Sequence, residues 1–248
     1  MKVAKVIDYL SQLNWLLVAF TLLVFIGLIK LGFWQLSRAV EKEQRIARIE
    51  AVQDAAYYSL TDVLSLNVQE NINDLPLKIS GTFDEKFTFL LDNQTFNGQV
   101  GYRVLQVVST NMGAVLVNMG WIKGNKSRYI LPNFKAETGQ HIVKGHVRLV
   151  ESGITLAEQN YTNVTWPLRI QQIELDKFSH IIGQKLLPFV LYLDKKEDIG
   201  FKKNWQAIVM PPEKHRGYAF QWFSLATAWM LLMVSASLFF YKNQNNNN

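Results

Sequence analysis

The chain has no cysteine among its 248 residues, and that absence excludes several functions at once. Without thiols there is no disulfide framework, no thiolate metal site and no cysteine nucleophile, so copper chaperones built on paired cysteines are excluded. The sequence also lacks the His-Glu-x-x-His and Gly-x-Ser-x-Gly motifs, a phosphate-binding Gly-Lys-Ser/Thr loop and a dinucleotide-binding glycine fingerprint. A hydrolase therefore has no nucleophile and base pair in its favour, and we expect a protein that is not an enzyme.

Histidine is scarce as well, with four in the chain. His141 and His146 lie five residues apart in a predicted strand, so they point to opposite faces and a shared metal ion is not expected. His180 lies beside two isoleucines on a short predicted helix. We interpret these three as ordinary surface or half-buried histidines.

Charged side chains are absent from two long stretches, Tyr9 to Ile29 and Gly217 to Tyr241. About 20 apolar residues in a helix cross the hydrocarbon core of a bilayer, so both stretches are long enough. We predict transmembrane helices at residues 9–30 and 212–241. A signal peptide is the alternative for the first, but its apolar run is longer than a signal-peptide core and has no small-residue cleavage site.

The net charge of +6 suits anionic lipid head groups or an acidic partner. Membrane lipid is therefore an expected partner, and nucleic acid is not expected for a chain anchored twice in a membrane. Residues 31–58 have the composition of a juxtamembrane helix, on which Arg38, Lys42 and Arg45 form a cationic stripe. Two interpretations remain open: cations that reach to the lipid head groups, or a site for anionic groups.

Residues 59–211 are predicted to form a β-rich domain between the two apolar helices. Asn97-Gly98 and Asn111-Met112-Gly113 are typical of hairpin turns, so the strands around them predict an antiparallel meander. The predicted strands are Leu75–Phe83, Phe87–Asp92, Gly101–Thr110, Ala114–Ile122, His141–Val150, Leu168–Ile173 and Phe189–Leu193, with a loop at residues 124–139 and a short helix at Glu174–Ile182. With a short inner tail at residues 1–8 and a disordered tail at 242–248, the fold class is α+β: two transmembrane helices flanking an extramembrane β-rich domain.

The start of the second apolar helix combines a histidine with several aromatic residues. Pro212 suits the first position of a helix, which places His215 in the first turn. Helical spacing then puts His215, Tyr218 and Trp222 on one face. Two interpretations are compatible with this pattern: a ligand-type nitrogen framed by aromatic rings, or the aromatic belt common at membrane interfaces with a solvated histidine beside it.

Five separated segments of the chain form a recognisable set. They are Leu31-Gly-Phe-Trp-Gln-Leu-Ser-Arg-Ala-Val-Glu-Lys42, Gly81-Thr-Phe83, Gly101-Tyr-Arg-Val104, Val115-Leu-Val-Asn-Met-Gly-Trp121 and His215-Arg-Gly-Tyr-Ala-Phe-Gln-Trp-Phe-Ser-Leu-Ala226. Taken together, they resemble the Surfeit locus protein family of cytochrome c oxidase assembly factors. They cover nearly the whole chain in the family's order, and the segments at the two apolar helices are the most specific. One departure is Met119, where the family usually has an arginine.

The resemblance implies an assembly factor for the haem-bearing subunit of cytochrome c oxidase. It implies the bacterial inner membrane with the central domain in the periplasm, the mitochondrial inner membrane being the alternative. It also implies haem a as the cofactor, bound transiently, with His215 as the candidate axial ligand to the metal. The competing hypothesis is a structural partner that docks an oxidase subunit and binds no cofactor.

A cofactor site follows if the two apolar helices are antiparallel neighbours. The outer turns of the first helix then lie opposite those of the second and form a cleft at one membrane surface. Rings would pack the macrocycle and cations would pair with its propionates. The predicted cofactor-binding residues are Trp34, Gln35, Arg38 and Lys42 on the first helix and His215, Tyr218 and Trp222 on the second.

Overall fold

The computed structural model describes residues 14–53, 56–66, 71–150, 161 and 164–246. These residues form two compact units. The first contains the two long helices, up to Arg48 and from Ile208 onwards, and the second extends from Ile49 to Ala207.

Helix α1, Trp15–Gln53, is continuous across the predicted boundary between transmembrane and juxtamembrane segments. The side-chain oxygen of Asn14 accepts hydrogen bonds from the backbone N–H groups of Leu16 and Leu17, at 3.1 and 3.3 Å, and so caps its start. It ends at Gln53 rather than at residue 58, because Tyr58 pairs with a strand of the β domain. Residues 1–13 lie outside the described part of the chain, and so does the tail predicted at 1–8.

The last helix of the chain, Pro212–Asn246, begins at the predicted proline and carries Glu213 in its first turn, where negative charge suits the helix dipole. It continues to Asn246, into the segment predicted as a disordered tail. Extending an existing helix adds one hydrogen bond for each residue fixed, so the asparagines after Lys242 follow the apolar part of the helix.

The two long helices pack as antiparallel neighbours. Near one end the indole N–H of Trp229 donates to the backbone oxygen of Thr21 at 3.2 Å, and further along the rings of Phe33 and Phe223 meet edge to face with centroids 5.4 Å apart. A Cβ atom on Gly32 would lie 2.5 Å from the Phe223 ring, so only glycine permits this approach. Small residues are typical of such interfaces in membranes. Both helices are long and apolar enough to span a membrane, over Trp15–Val52 and Pro212–Asn243.

The β domain is built on one sheet whose strand pairings close on themselves. Its elements are β1 (Tyr58–Ser59), α2 (Leu60–Ser65), β2 (Pro76–Phe96), β3 (Gln99–Thr110), β4 (Gly113–Lys123), β5 (Gly139–Arg148), β6 (Leu168–Ile170), α3 (Leu175–Ile182) and β7 (Leu186–Leu193), and the last helix of the chain, described above, is α4. β2 pairs with β3, β3 with β4, β4 with β7, β7 with β5 and β5 again with β2, while β1 and β6 add to β2.

The predicted meander is confirmed for β2, β3 and β4, which are antiparallel neighbours. One detail differs from prediction: the two strands predicted at 75–83 and 87–92 are one long strand, β2, with a register shift against β3 between Asp84 and Thr88. The pair β4–β7, for which no direction was predicted, is parallel.

Each face of the closed sheet has its own apolar core. Alternate residues of the five strands that close the sheet, β2, β3, β4, β7 and β5, form the inner core. They include Leu77, Val117, Val143 and Leu191. Met119, at the position where the Surfeit family usually has arginine, is fully buried in that core. The second, outer core lies on the other face of part of the sheet and is covered by α3.

Candidate functional site

His215 is buried between the two long helices. Only 6% of its surface is exposed, and its Nδ1 lies 2.7 Å from Oε1 of Gln35 on α1. In this arrangement the Nδ1–H group donates to the amide oxygen. The two residues that the sequence placed on facing turns are therefore in direct contact.

The other ring nitrogen of His215, Nε2, is also buried and has no hydrogen-bond partner among the described residues. Buried side-chain nitrogens nearly always have one, and leaving such a group unpaired costs about 1–3 kcal/mol. With the proton on Nδ1, Nε2 carries a lone pair. The helix pair thus holds one unused imidazole acceptor of the kind that binds metals.

The predicted cations lie on the α1 turns that follow Gln35. Arg38 is half-buried, and its guanidinium lies 2.5 Å from the carboxylate of Glu41 on the same helix. Lys42 is half-buried one turn further on. Across the helix pair, the Arg216 guanidinium is bonded to the Glu43 carboxylate. Within the cationic stripe the charge of Arg38 is therefore partly neutralised by Glu41, which the spacing of basic residues alone did not predict.

The predicted aromatic residues differ in how far they are exposed. Trp34 on α1 and Tyr218 on α4 are 55% and 47% exposed, so much of each ring faces away from the helix pair. Trp222 is half-buried. Ala219, between Tyr218 and Trp222 on α4, is buried. Helical spacing alone does not tell which of the α4 aromatics faces α1.

The β domain contains a second cluster of polar side chains that the sequence analysis did not identify. Nδ1 of His146 lies 2.8 Å from Oδ1 of Asp194, and the Tyr57 hydroxyl donates to Oδ2 of the same carboxylate. Trp205 packs against His146 with ring centroids 5.5 Å apart. Among the described residues, the contacts of this carboxylate include no serine hydroxyl, so the cluster is not a Ser-His-Asp triad.

The contacts in this cluster shift two pKa values. The hydrogen bond to Asp194, together with burial, raises the pKa of Tyr57 to about 12. Burial of Asp194 opposes its ionisation, but the contacts with His146 and Tyr57 and the charge of Lys144 outweigh burial and lower the pKa of its carboxyl. At neutral pH the carboxylate is ionised and the phenol protonated. This cluster stabilises the domain rather than presenting a reactive group.

Sequence spacing offered no signal for the second cluster. His146 and Asp194 are brought together because β5 pairs with β7 in the register that sets Gly145 opposite Leu193. That pairing joins segments far apart in the chain. The two other histidines of the domain remain separate from it: the His141 ring contacts the backbone oxygen of Thr138 at 2.9 Å, and His180 is exposed.

Two antiparallel helices, each long and apolar enough to span a membrane, bury one histidine, and a closed β domain lies between them in sequence. A sequence model of the SURF1 family matches residues 22–227. The chain therefore belongs to the SURF1 family, and the resemblance drawn from its motifs is confirmed.

Curated relatives agree with this assignment over most of their length. SURF1-like proteins of Rickettsia bellii, Rickettsia conorii and Rickettsia felis are each 24% identical to the chain. The alignments cover 85%, 86% and 86% of this chain and 86%, 87% and 93% of the respective relatives. The similarity thus extends over both long helices and the β domain.

Proposed function

We propose that the chain is an assembly factor for the haem-bearing subunit of cytochrome c oxidase, and that it holds haem a as a cargo through His215. The SURF1 family consists generally of cytochrome oxidase assembly factors, which are generally non-enzymatic. Membership supports the role in assembly. The cargo is argued from the residues between the helices.

The observation that carries the proposal is the buried Nε2 of His215, for which the described residues supply no hydrogen-bond partner. A bare zinc or copper ion needs three or four protein ligands, and no group of three or more His, Asp or Glu side chains is arranged to supply them in the part of the chain that the structure describes. Haem iron takes its equatorial ligands from the macrocycle and needs only one imidazole from the protein. A lone buried imidazole acceptor therefore fits haem better than it fits a free ion.

The remaining predicted residues have roles that follow from their chemistry. Arg38 and Lys42 supply cations for the two propionates, and Arg38 exchanges its bond with Glu41 for one with the cargo. The indole of Trp222 offers an apolar face to the macrocycle. Iron bound to Nε2 would satisfy the nitrogen that is otherwise unpaired.

The location proposed is the bacterial inner membrane, with the β domain in the periplasm. Two spans force both chain termini to the same side, and the relatives reported above are bacterial. His215 lies in the first turn of α4, which follows the β domain directly in the chain. The haem site would accordingly lie at the periplasmic surface of the membrane.

The test is the optical spectrum of the full chain purified from cells that make haem a. The wild type and His180→Ala, which changes an exposed histidine, should carry a haem absorption band, whereas His215→Ala should lose it. Oxidase assembly in a strain lacking the protein is scored in parallel. A colourless wild-type protein that fully restores oxidase would reject the cargo.

A second proposal is supported by the burial of Nε2, which has almost no solvent-accessible surface between the helices. In this proposal His215 is structural, its bond to Gln35 joins the helices, and the protein docks and stabilises an oxidase subunit without a cofactor. His215→Ala would then weaken the helix pair and lower oxidase assembly, while the purified wild type would contain no haem.

A further inference from the structure

The contact between Gln35 and His215 bears on which ring nitrogen of the histidine carries its proton. The inference drawn from it rests on the proposed function. We infer that Gln35 is a positioning residue: its amide oxygen holds the His215 proton on Nδ1 and so leaves the lone pair of Nε2 for the iron. The distance of 2.7 Å between Oε1 and Nδ1 is that of a full hydrogen bond. Gln35 then acts on the cargo through the histidine rather than by touching it.

The imidazole ring has two neutral forms. A neutral histidine has one N–H group and one acceptor nitrogen. The hydrogen-bond partner of Nδ1 therefore also determines whether Nε2 is a donor or an acceptor. If the amide turned its NH₂ group towards Nδ1, Nε2 would carry a buried N–H group without an acceptor, and buried N–H groups without acceptors are rare. With the amide oxygen in place, Nε2 is an acceptor ready for a Lewis acid. Histidines that bind metals donate their other N–H group in the same way.

An uncharged glutamine suits position 35, which lies between the two long helices. The bond joins two helices that are candidate membrane spans, where a carboxylate would be costly to bury. A glutamine fixes the proton without adding a charge. Because Gln35 and His215 lie on different helices, the hydrogen bond also ties the orientation of the ring to the pairing of α1 with α4.

The first test measures the proton position in the cargo-free full chain. The protein is labelled with ¹⁵N-histidine, and the ring nitrogen signals of His215, one of four histidines, are assigned with His215→Ala. At pH 8 the wild type should show the proton on Nδ1. Gln35→Leu, which has no acceptor, should lose that preference, and Gln35→Glu, which restores an acceptor oxygen, should recover it. A wild-type ring with its proton on Nε2, or an unchanged ring in Gln35→Leu, would overturn the inference.

The second test measures affinity with hemin as the probe, by absorption titration of the same variants. Loss of the hydrogen bond behind a metal-bound histidine typically weakens metal binding by about 10- to 100-fold, which is the change expected for Gln35→Leu. Gln44→Leu, at an exposed position of α1, is the matched control and should bind like the wild type. Equal affinity in Gln35→Leu and the wild type would contradict the inference.

The two tests separate failure of this inference from failure of the proposed function. A proton on Nδ1 that depends on Gln35, in a protein that binds no hemin, rejects the cargo and keeps the positioning contact. Haem binding through His215 that is indifferent to Gln35 keeps the cargo and rejects the positioning role.

Discussion

Replacing Tyr57 by phenylalanine removes one hydroxyl group from the carboxylate cluster of the β domain. That hydroxyl donates to Asp194, whose side chain also contacts His146 at 2.8 Å. A hydrogen bond to a charged group contributes about 1.5–3 kcal/mol when it is buried. Tyr57 is 38% exposed, so solvent screening reduces the expected loss to about 1 kcal/mol in the free energy of unfolding.

The pH dependence of this loss follows from the two pKa shifts. The pKa of Tyr57 is raised to about 12, so its contribution is complete below the ordinary tyrosine value near 10 and disappears as the pH rises from there to about 12. The pKa of Asp194 is lowered, so its contribution is complete above its ordinary value near 4 and disappears as the pH falls through the lower folded value. The difference between wild type and Tyr57→Phe should therefore be constant from about pH 5 to 9.5 and shrink at both ends.

The assay is urea unfolding of the full chain in detergent, followed by tryptophan fluorescence, since Trp205 packs against His146. Tyr129→Phe is the control, because Tyr129 is 98% exposed and its hydroxyl should contribute nothing measurable. Equal stability of Tyr57→Phe and Tyr129→Phe at pH 7 would refute the reasoning. So would a difference between wild type and Tyr57→Phe that persists unchanged at pH 12.

Two further predictions concern packing. Gly32→Ala should separate α1 from α4 and weaken their pairing by about 1 kcal/mol, because the new Cβ displaces the Phe223 ring. Gly27→Ala, which meets nothing within 4 Å, should leave the helices paired, and spin-label distances between them in nanodiscs would show this contrast. Phe178→Ala should lower the stability of the β domain by about 3–5 kcal/mol, since its ring is fully buried and stacks on Phe89 at 4.3 Å. Urea unfolding measures this change, and a loss below about 1 kcal/mol would mean that α3 does not cover the outer core.

Much of the fold was predictable because its signals are local. Two stretches without charge predict the long helices, and Asn97-Gly98 predicts the hairpin between β2 and β3. Closure of the sheet was not predictable, because it depends on the pairs β4–β7 and β2–β5, which join distant segments. Nor does composition tell where α1 ends: residues 54–58 continue its helical composition, but Tyr58 pairs with Leu77 instead.

The candidate site was likewise predictable only in part. The local pattern drew attention to His215 as a ligand-type residue in the first turn of an apolar helix, the family resemblance implied its role as axial ligand, and Gln35 was expected to face it if the helices were antiparallel neighbours. The bond between them and the unpaired Nε2 depend on the rotation of each helix about its axis. Glu41 lies three residues from Arg38 on the same helix, so spacing could have shown that pair. Glu43 was missed as the partner of Arg216 because charge spacing on one helix does not show which acidic residues lie across the interface.

Ligation of the iron by His215 is tested most directly by pulsed electron paramagnetic resonance of the full chain, purified with haem a from cells fed ¹⁵N-histidine. We predict hyperfine coupling from a ¹⁵N nucleus of histidine at the ferric iron, present in the wild type and in His180→Ala and absent in His215→Ala. Haem in the wild type without histidine coupling, or coupling that persists in His215→Ala, would contradict the proposed site.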